Sequence, residues 1–363
     1  MEQNRSRTVE PPEEAAENRA VTPELLTGLL AQQRAGVVVS EVQVLDESSG
    51  SANRQRLQVT YAPDADAGLP TALFLKRNLP DFAFPREMYV NEVRIYRDVV
   101  PELELETPEI FGLAFDEDRL RFTLLMTDLL SEPGARLGHV LQPVTLEDVR
   151  SLLTTLAGLH AAYWDSPRLD GDLSWLARPP VCPNMRFWRE IGPRLTERHL
   201  SRGHRAGIVD RTYWAQDRIW QGLDRMLAAD DTGPRTVLHG DVHAGNVYYR
   251  AGGPGGLLDW QLALQGSWAL DVTYLLTSAL DADQRAAHER DLLDFYLAEL
   301  AARGVAAPSR EEAWTRYRQN VLYGALMWFI TPDGVHTDEA QLEYIERCVR
   351  AGEELDTLGA LSV

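Results

Sequence analysis

The sequence predicts an α+β fold in which a small antiparallel β-sheet carrying one helix precedes a larger, mainly helical region. In the first third of the chain, short segments rich in β-branched and aromatic residues alternate with turn residues, as in an antiparallel sheet. From Thr145 onward, apolar residues instead recur at helical spacing. The length of 363 residues suits two lobes or two modest domains better than a single domain.

The N-terminal part opens with a helix and continues with five strands. Thr22 stands at an N-cap position and Pro23 at the first helical position of a short helix that extends to Gln32. The five strands are predicted at 37–45, 55–61, 71–77, 109–115 and 119–126. Between the third and fourth strands, a helix-spaced pattern predicts one helix over 84–99.

Helices dominate the C-terminal part. Thr145 and Asp148 form a capping pair at the start of an amphipathic helix, and further helices are predicted after Asp281 and Ser309. The exception is 237–262, where short apolar runs alternate with Gly, Asp, His and Asn, as in loops carried by short strands. We therefore expect the chemistry of the protein in this segment.

Turn-forming residues also indicate how the chain is divided. Residues 1–20 contain few apolar groups and are predicted to be a disordered tail. Ser, Pro and Gly cluster near 130–138, which is typical of a boundary. We therefore predict an N-terminal lobe at 21–130 and a C-terminal helical lobe at 131–363.

Composition excludes several classes of partner. With 36 Lys and Arg against 55 Asp and Glu, the formal net charge is −19, which repels nucleic-acid backbones and anionic membrane surfaces. The longest apolar run, near 325–330, is far too short to span a bilayer. Cys182 and Cys348 are the only cysteines, so the sequence predicts no disulfide framework and a cytoplasmic location. The sequence does not indicate an oligomeric state.

Three polar residues have the types and the order that phosphoryl transfer requires. Asp241 and Asn246 lie in the segment HGDVHAGN, and Asp259 follows in LLDWQ. Phosphoryl transfer uses one carboxylate to orient the attacking hydroxyl, and oxygen ligands to hold the Mg²⁺ that neutralises the phosphates. Asp241 suits the first role, and Asn246 with Asp259 suits the second.

Lys76 is the only lysine among 36 basic residues, and it ends the third predicted strand. In protein kinases a strand lysine binds the α- and β-phosphates and is held in place by a helix glutamate. Glu92, on the predicted helix, is the candidate partner of Lys76. Glu87 on the same helix is the alternative, and Glu92 is preferred because of its Glu-x-x-x-Tyr context.

With HGDVHAGN, LLDWQ and DVTYLL in this order, the chain resembles the aminoglycoside phosphotransferase and choline/ecdysteroid-kinase-like superfamily over roughly residues 38–330. The resemblance implies a bilobal protein-kinase-like fold with a nucleotide-binding N-terminal lobe and a catalytic, substrate-binding C-terminal lobe. It also implies transfer of phosphate from ATP or GTP, with Mg²⁺, to a hydroxyl of an antibiotic, sugar, alcohol or other natural product. Gln261 favours the ecdysteroid-kinase-like branch, since drug-modifying relatives more often carry an acid at that position.

The resemblance further implies roles for individual residues. The backbone between Met126 and Leu129 would pair with the purine as a hinge. A loop containing Ser51 would meet the phosphates where protein kinases have GxGxxG. His239 would brace the loop that carries the metal-binding aspartate, and Asp271 would hold the backbone of the catalytic loop.

Three other functions are weighed against this interpretation. A nucleotide-binding pseudokinase is the main alternative, but the candidate catalytic and metal-binding residues are intact. Protein-kinase activity is disfavoured because no Ala-Pro-Glu segment is present and DWQ replaces Asp-Phe-Gly. A zinc site at His239 and His243 is disfavoured because Gly240 follows the first histidine, where HExxH has glutamate.

Overall fold

The computed structural model describes residues 20–49, 52–63, 68–78, 85–179 and 181–363. The chain divides into two compact units, one formed by Met1–Phe84 with Glu109–Asp128 and the other by Pro85–Pro108 with Leu129–Val363. The second unit thus includes a segment inserted between two strands of the first. Apart from Ala20, the predicted tail at 1–20 lies outside the described residues.

The first unit is built on a five-stranded antiparallel sheet. Its strands are β1 (Val39–Ser49), β2 (Asn53–Tyr61), β3 (Ala72–Arg77), β4 (Ile110–Asp116) and β5 (Arg121–Thr127), in the order β1-β2-β3-β5-β4. All five predicted strands are present, and β1 extends four residues beyond its predicted end because it pairs along the whole first hairpin.

Helix α1 (Pro23–Leu30) covers one face of this sheet. Its N-cap, Thr22, accepts a hydrogen bond from Leu25 N–H, as the sequence predicted. The fully buried side chains of Leu26 and Leu30 join Leu57 and Leu75 from the sheet in one apolar cluster. Burial of such side chains contributes about 1.5–3 kcal/mol each, so this face is the core of the first unit.

The second unit is mainly helical. Its helices are α2 (Arg86–Arg94), which continues as a π-helix over Ile95–Val99, α3 (Leu146–Ala162), α4 (Pro183–Leu200), α5 (Gln216–Asp230), α6 (Ala269–Ala279), α7 (Ala282–Ala302), α8 (Arg310–Ile330), α9 (Asp338–Glu354) and α10 (Thr357–Ala360). Every residue of α6 is buried, so α6 lies at the centre of this unit. The capping boxes predicted at Thr145 and Ser309 are both formed.

Short strands carry the loops of the second unit. They are β6 (Arg136–Leu137), β7 (Thr236–Leu238), β8 (Val247–Tyr249), β9 (Gly255–Leu257) and β10 (Leu264–Gly266), with β10 paired to β7 and β8 lying between β6 and β9. The sequence predicted three of the five. The sequence does not predict β6 and β10, because segments of two or three residues are too short to show a strand pattern.

Neither unit contains, within its described residues, a helix with the length and apolarity needed to cross a bilayer.

Candidate active site

The loop that follows β7 is anchored by a buried carboxylate. Asp271, in the first turn of α6, accepts hydrogen bonds from the backbone N–H of His239 at 2.7 Å and of Gly240 at 2.9 Å. His160 lies on the same carboxylate, with its Nε2 3.3 Å from Oδ2. On the other side of the loop, Tyr323 donates from its hydroxyl to the carbonyl oxygen of Gly240 at 2.8 Å. The start of the loop is therefore held from α3, α6 and α8 at once.

His239 joins this loop to the one that carries Asp259. Its Nε2 donates to the carbonyl oxygen of Leu258 at 2.7 Å, and its Nδ1 accepts from Asp241 N–H at 3.2 Å. These two partners define a neutral imidazole with the proton on Nε2. The ring is fully buried and lies 4.5 Å from that of Trp260. His239 thus links the backbone of the loop that carries Asp241 to the residue before Asp259.

Asn246 and Asp241 are hydrogen bonded to each other. The Asn246 side-chain amide donates to the Asp241 carboxylate at 2.9 Å and to the Asp241 carbonyl oxygen at 3.0 Å. Because both acceptors face the nitrogen, the orientation of the amide is defined and Oδ1 points away from Asp241. That oxygen is of the kind Mg²⁺ prefers.

Asp259 lies beside this pair. The N–H of Leu258 donates to the carbonyl oxygen of Asn246 at 2.9 Å, which ties the two loops together one residue before Asp259. Asp259 adopts a left-handed conformation with φ 62° and ψ 74°. Residues other than glycine rarely adopt this conformation, and Asp and Asn tolerate it best. Strain of this kind is concentrated at functional sites.

The two carboxylates interact electrostatically. Burial, followed by the charges of Asp259 and Asp271, raises the pKa of Asp241 to about 8, although the hydrogen bond from Asn246 opposes the shift. A divalent cation held by Asp259 and Asn246 would offset this repulsion and favour the ionised carboxylates. The donor set therefore fits Mg²⁺, which usually takes one or two protein carboxylates and completes its shell with water and phosphate.

His239 and His243, the two histidines weighed as a zinc pair, each accept at Nδ1 from a backbone N–H. Among the residues that the structure describes, no three His, Cys, Asp or Glu side chains come together in an arrangement that could hold a metal ion. His243 instead accepts at Nδ1 from Gly245 N–H at 2.9 Å, and burial lowers its pKa to about 3. Its Nε2 lies 3.8 Å from the Asp241 carboxylate.

Aromatic side chains pack around His243. The rings of Trp328 and Tyr344 stack with centroids 3.7 Å apart, and the Tyr344 hydroxyl lies 3.2 Å from His243 Nδ1. Trp328 and Tyr344 are each 2% exposed, so they belong to the core beneath the loop.

Glu92 lies in the same unit as Asp259. It is 1% exposed on α2, whereas Glu87 is only half-buried. Tyr96 has a pKa raised well above its usual range by burial and by the nearby carboxylates of Glu92 and Asp259. Asn91, next to Glu92, donates to the carbonyl oxygen of Ala263 at 2.8 Å. Helix α2 is therefore joined to the segment that follows Asp259.

The remaining predicted residues are distributed between the two units. Lys76 is the penultimate residue of β3 in the first unit and is 3% exposed, and Met126 lies on β5 at 5%. Leu129, 7% exposed, begins a short 3₁₀ turn in the second unit. Ser51 lies outside the described residues.

Sequence reasoning missed three supporting residues. They are Tyr323, Asn91 and Arg56, which forms an ion pair with the buried Asp128 through two nitrogens at 3.0 and 3.1 Å. None of the three belongs to a motif, and each acts on a residue distant in the sequence. Asp128, the partner of Arg56, lies within the predicted hinge at 126–129, and this position was the one available signal.

A comparison with family models identifies the chain. Residues 48–314 match the model described as the phosphotransferase enzyme family. The chain belongs to the phosphotransferase enzyme family. A comparison with curated proteins gave no match.

Solved structures show the fold of this phosphotransferase. Spectinomycin phosphotransferase in complex with ADP and spectinomycin has a TM-score of 0.51 at 10% identity, over 93% of this chain and 100% of that chain. The choline kinase LicA from Streptococcus pneumoniae has a TM-score of 0.50 at 13% identity, over 91% and 98%. At these identities the likeness shows the fold alone, and the predicted α+β, protein-kinase-like fold class is confirmed.

Proposed function

We propose that this protein transfers the γ-phosphate of ATP or GTP to a hydroxyl group of a small molecule in a Mg²⁺-dependent reaction. One observation carries the proposal: the Asn246 side-chain amide binds the Asp241 carboxylate, while the backbone carbonyl oxygen of Asn246 accepts from the N–H of Leu258, one residue before Asp259. A proton-accepting carboxylate is thus hydrogen bonded to one candidate cation ligand, and the backbone ties the second candidate ligand to the same loop. This is the set that phosphoryl transfer requires.

Asp241 has the central role in the proposed reaction. Its carboxylate orients the acceptor hydroxyl and takes the hydroxyl proton as the oxygen attacks the γ-phosphorus. The bond from the γ-phosphorus to the bridging oxygen breaks, and the nucleoside diphosphate leaves with that oxygen. Asn246 and Asp259 would hold Mg²⁺, which neutralises the charge on the phosphate oxygens. No covalent intermediate with the protein is involved.

The nucleotide-binding residues are inferred from the family resemblance. Lys76 would contact the α- and β-phosphates, with Glu92 as its fixing carboxylate. The backbone at Met126 and Leu129 would pair with the purine, and Ser51 would meet the phosphates. These assignments rest on the motif order and on the burial of the four described residues, which are all less than 10% exposed.

The acceptor is proposed to be a hydroxylated small molecule. Choline and spectinomycin, named with the two structures of similar fold, are the first compounds to test. The net charge of −19 favours a cationic acceptor of this kind. The predicted cytoplasmic location, which would suit an antibiotic-modifying or a metabolic kinase, stays a prediction.

Mass spectrometry of a mixed substrate panel tests the proposal. The protein is incubated with Mg²⁺ and either ATP or GTP, together with aminoglycosides, spectinomycin, macrolides, choline-like alcohols, sugars and sterols. We expect one compound to gain a phosphoryl group, and we expect the gain to disappear in Asp241→Asn and after EDTA treatment. Equal product from Asp241→Asn would contradict the assignment. Nucleotide binding without phosphorylation of any compound would instead favour a pseudokinase.

A further inference from the structure

The register between β2 and β3 places two cationic residues opposite each other. In this antiparallel pair Arg54 is the partner of Lys76, and Arg56 is the partner of Phe74. Directly opposed residues of antiparallel strands project from the same face, with Cβ atoms about 4.5–5.5 Å apart. Arg54 and Lys76 are therefore neighbours on one face of the sheet.

The contacts of the flanking residues identify this face. Leu57 and Leu75 belong to the apolar cluster under α1, and Arg77 donates to the side-chain oxygen of Gln55 at 3.1 Å. All four therefore project from the face that α1 covers. Because successive side chains alternate between the faces of a strand, Arg54 and Lys76 project from the other face. We call this the Lys76 face.

Two rows of side chains cross the Lys76 face. The first row contains Ser48, Arg54, Lys76 and Leu124, and it lies one position from the Ser49–Asn53 pair of β1 and β2. The second row contains Arg56, whose guanidinium is ion paired with Asp128, and then Phe74 and Met126, which are paired with each other. The cationic and hydroxyl groups of the first row thus lie beside the apolar Phe74–Met126 pair of the second. A nucleotide has the matching arrangement, with charged phosphates beside a flat base.

We propose that Arg54 is a second cationic ligand of the nucleotide phosphates, acting beside Lys76. This inference rests on the proposed function. A guanidinium can donate two parallel hydrogen bonds to one phosphate, whereas an ammonium acts as a point charge, so the two residues complement each other.

The position of Arg54 in the chain supports the same role. It is the second residue of β2 and lies three positions after Ser51, the residue assigned to the phosphates by resemblance. It is half-buried, while Lys76 is 3% exposed. Desolvation strengthens the interaction of a cation with an anionic ligand. Arg54 is thus shielded from solvent to a degree that allows its charge to contribute to nucleotide affinity.

Calorimetric titration of the full chain with nucleotides tests the role of Arg54. The ligands are ATP or GTP, whichever the wild type binds more tightly, with the corresponding diphosphate and nucleoside, all with Mg²⁺. We expect Arg54→Gln to raise the Kd of the triphosphate and diphosphate about tenfold or more, as for loss of a charge-assisted hydrogen bond. The Kd of the nucleoside should not change, and Arg54→Lys should recover part of the loss.

Arg119→Gln is the matched control. Arg119 lies in the turn between β4 and β5 of the same unit, and its ion pair with Asp116 is exposed. Triphosphate binding by Arg119→Gln should equal that of the wild type. The inference is overturned if Arg54→Gln binds the triphosphate with the Kd of the wild type. It is also overturned if the substitution raises the Kd values of the nucleoside and the triphosphate by the same factor. If the wild type itself binds neither ATP nor GTP, the proposed function fails together with the inference.

Discussion

The carboxylate of Asp271 accepts a hydrogen bond from the backbone nitrogen of His239 at 2.7 Å. The same carboxylate accepts from Gly240 N–H, and its own side chain is fully buried. A residue in the first turn of α6 therefore fixes the beginning of a loop that lies 31 to 32 positions earlier in the chain. The position of Asp241 depends on this contact because it follows directly on the two anchored residues.

Replacing Asp271 with Ala should both destabilise the protein and abolish phosphoryl transfer. Each buried N–H left without an acceptor costs about 1–3 kcal/mol, and two are affected. Asp271→Asn, which keeps one acceptor oxygen, should lose less. Urea denaturation and transfer activity measure the two effects. Asp283→Ala, at an exposed ion pair on α7, is the control. A urea midpoint for Asp271→Ala equal to that of the wild type would contradict the anchoring role.

Gly240→Ala should be far more damaging than Gly252→Ala. Both glycines have positive φ, +80° and +68°, so each alanine carries a backbone strain of about 1–2 kcal/mol. At Gly240 the added Cβ would also collide with the carbonyl oxygen of Leu262, whereas at Gly252 no atom lies within 4 Å. We expect loss of activity and a large drop in Tm only at Gly240. Similar Tm values for the two variants would show that the close approach to Leu262 relaxes at little cost.

Asp259→Asn should separate the charge of Asp259 from its backbone conformation. Asparagine tolerates the left-handed conformation that Asp259 adopts, so the variant should fold with nearly unchanged Tm. The Mg²⁺ concentration for half-maximal activity should rise at least about 100-fold, since even an outer-shell partner of a metal ligand is worth about 10- to 100-fold in metal affinity. Activity measured against Mg²⁺ concentration provides the readout. An unchanged Mg²⁺ dependence would remove Asp259 from the metal site.

Asp230→Asn should stabilise the protein at pH 8 and have little effect at pH 4. Burial raises the pKa of Asp230 to about 7, although Asn320, Arg316 and Ser267 oppose the shift. Between pH 4 and 7 the unfolded chain loses this proton while the folded chain keeps it, so stability falls as pH rises. The amide of the Asp230→Asn variant carries no charge, so the variant avoids this loss of stability. Its free energy of unfolding at pH 8 should exceed that of the wild type by about 1–3 kcal/mol.

Urea denaturation of Asp230→Asn at pH 4, 6 and 8 measures this gain. Asp231→Asn, at the exposed carboxylate next in sequence, is the matched control. An equal gain for Asp230→Asn at all three pH values would show that burial of the charge is not the cause.

Several features could be predicted from the sequence because they depend on neighbouring residues. The five strands of the first unit follow from β-branched and aromatic segments between turns, and the capping boxes at Thr145 and Ser309 follow from residues three positions apart. The sequence likewise shows that the candidate phosphate-binding residue, Lys76, precedes the candidate catalytic residue, Asp241. Local propensity and motif spacing are properties of short segments, so one sequence suffices to predict them.

Only the tertiary structure decided which distant residues meet. The hydroxyl of Tyr323 on the Gly240 carbonyl and the ion pair of Arg56 with Asp128 join residues at least 70 positions apart. The placement of Arg54 opposite Lys76 depends on the register of β2 against β3. Register is set by turn length and by packing of the whole sheet, and a shift of one residue would move Arg54 to the opposite face. Motif spacing therefore determined which residues are candidates for chemistry, while long-range packing decided what holds them in position.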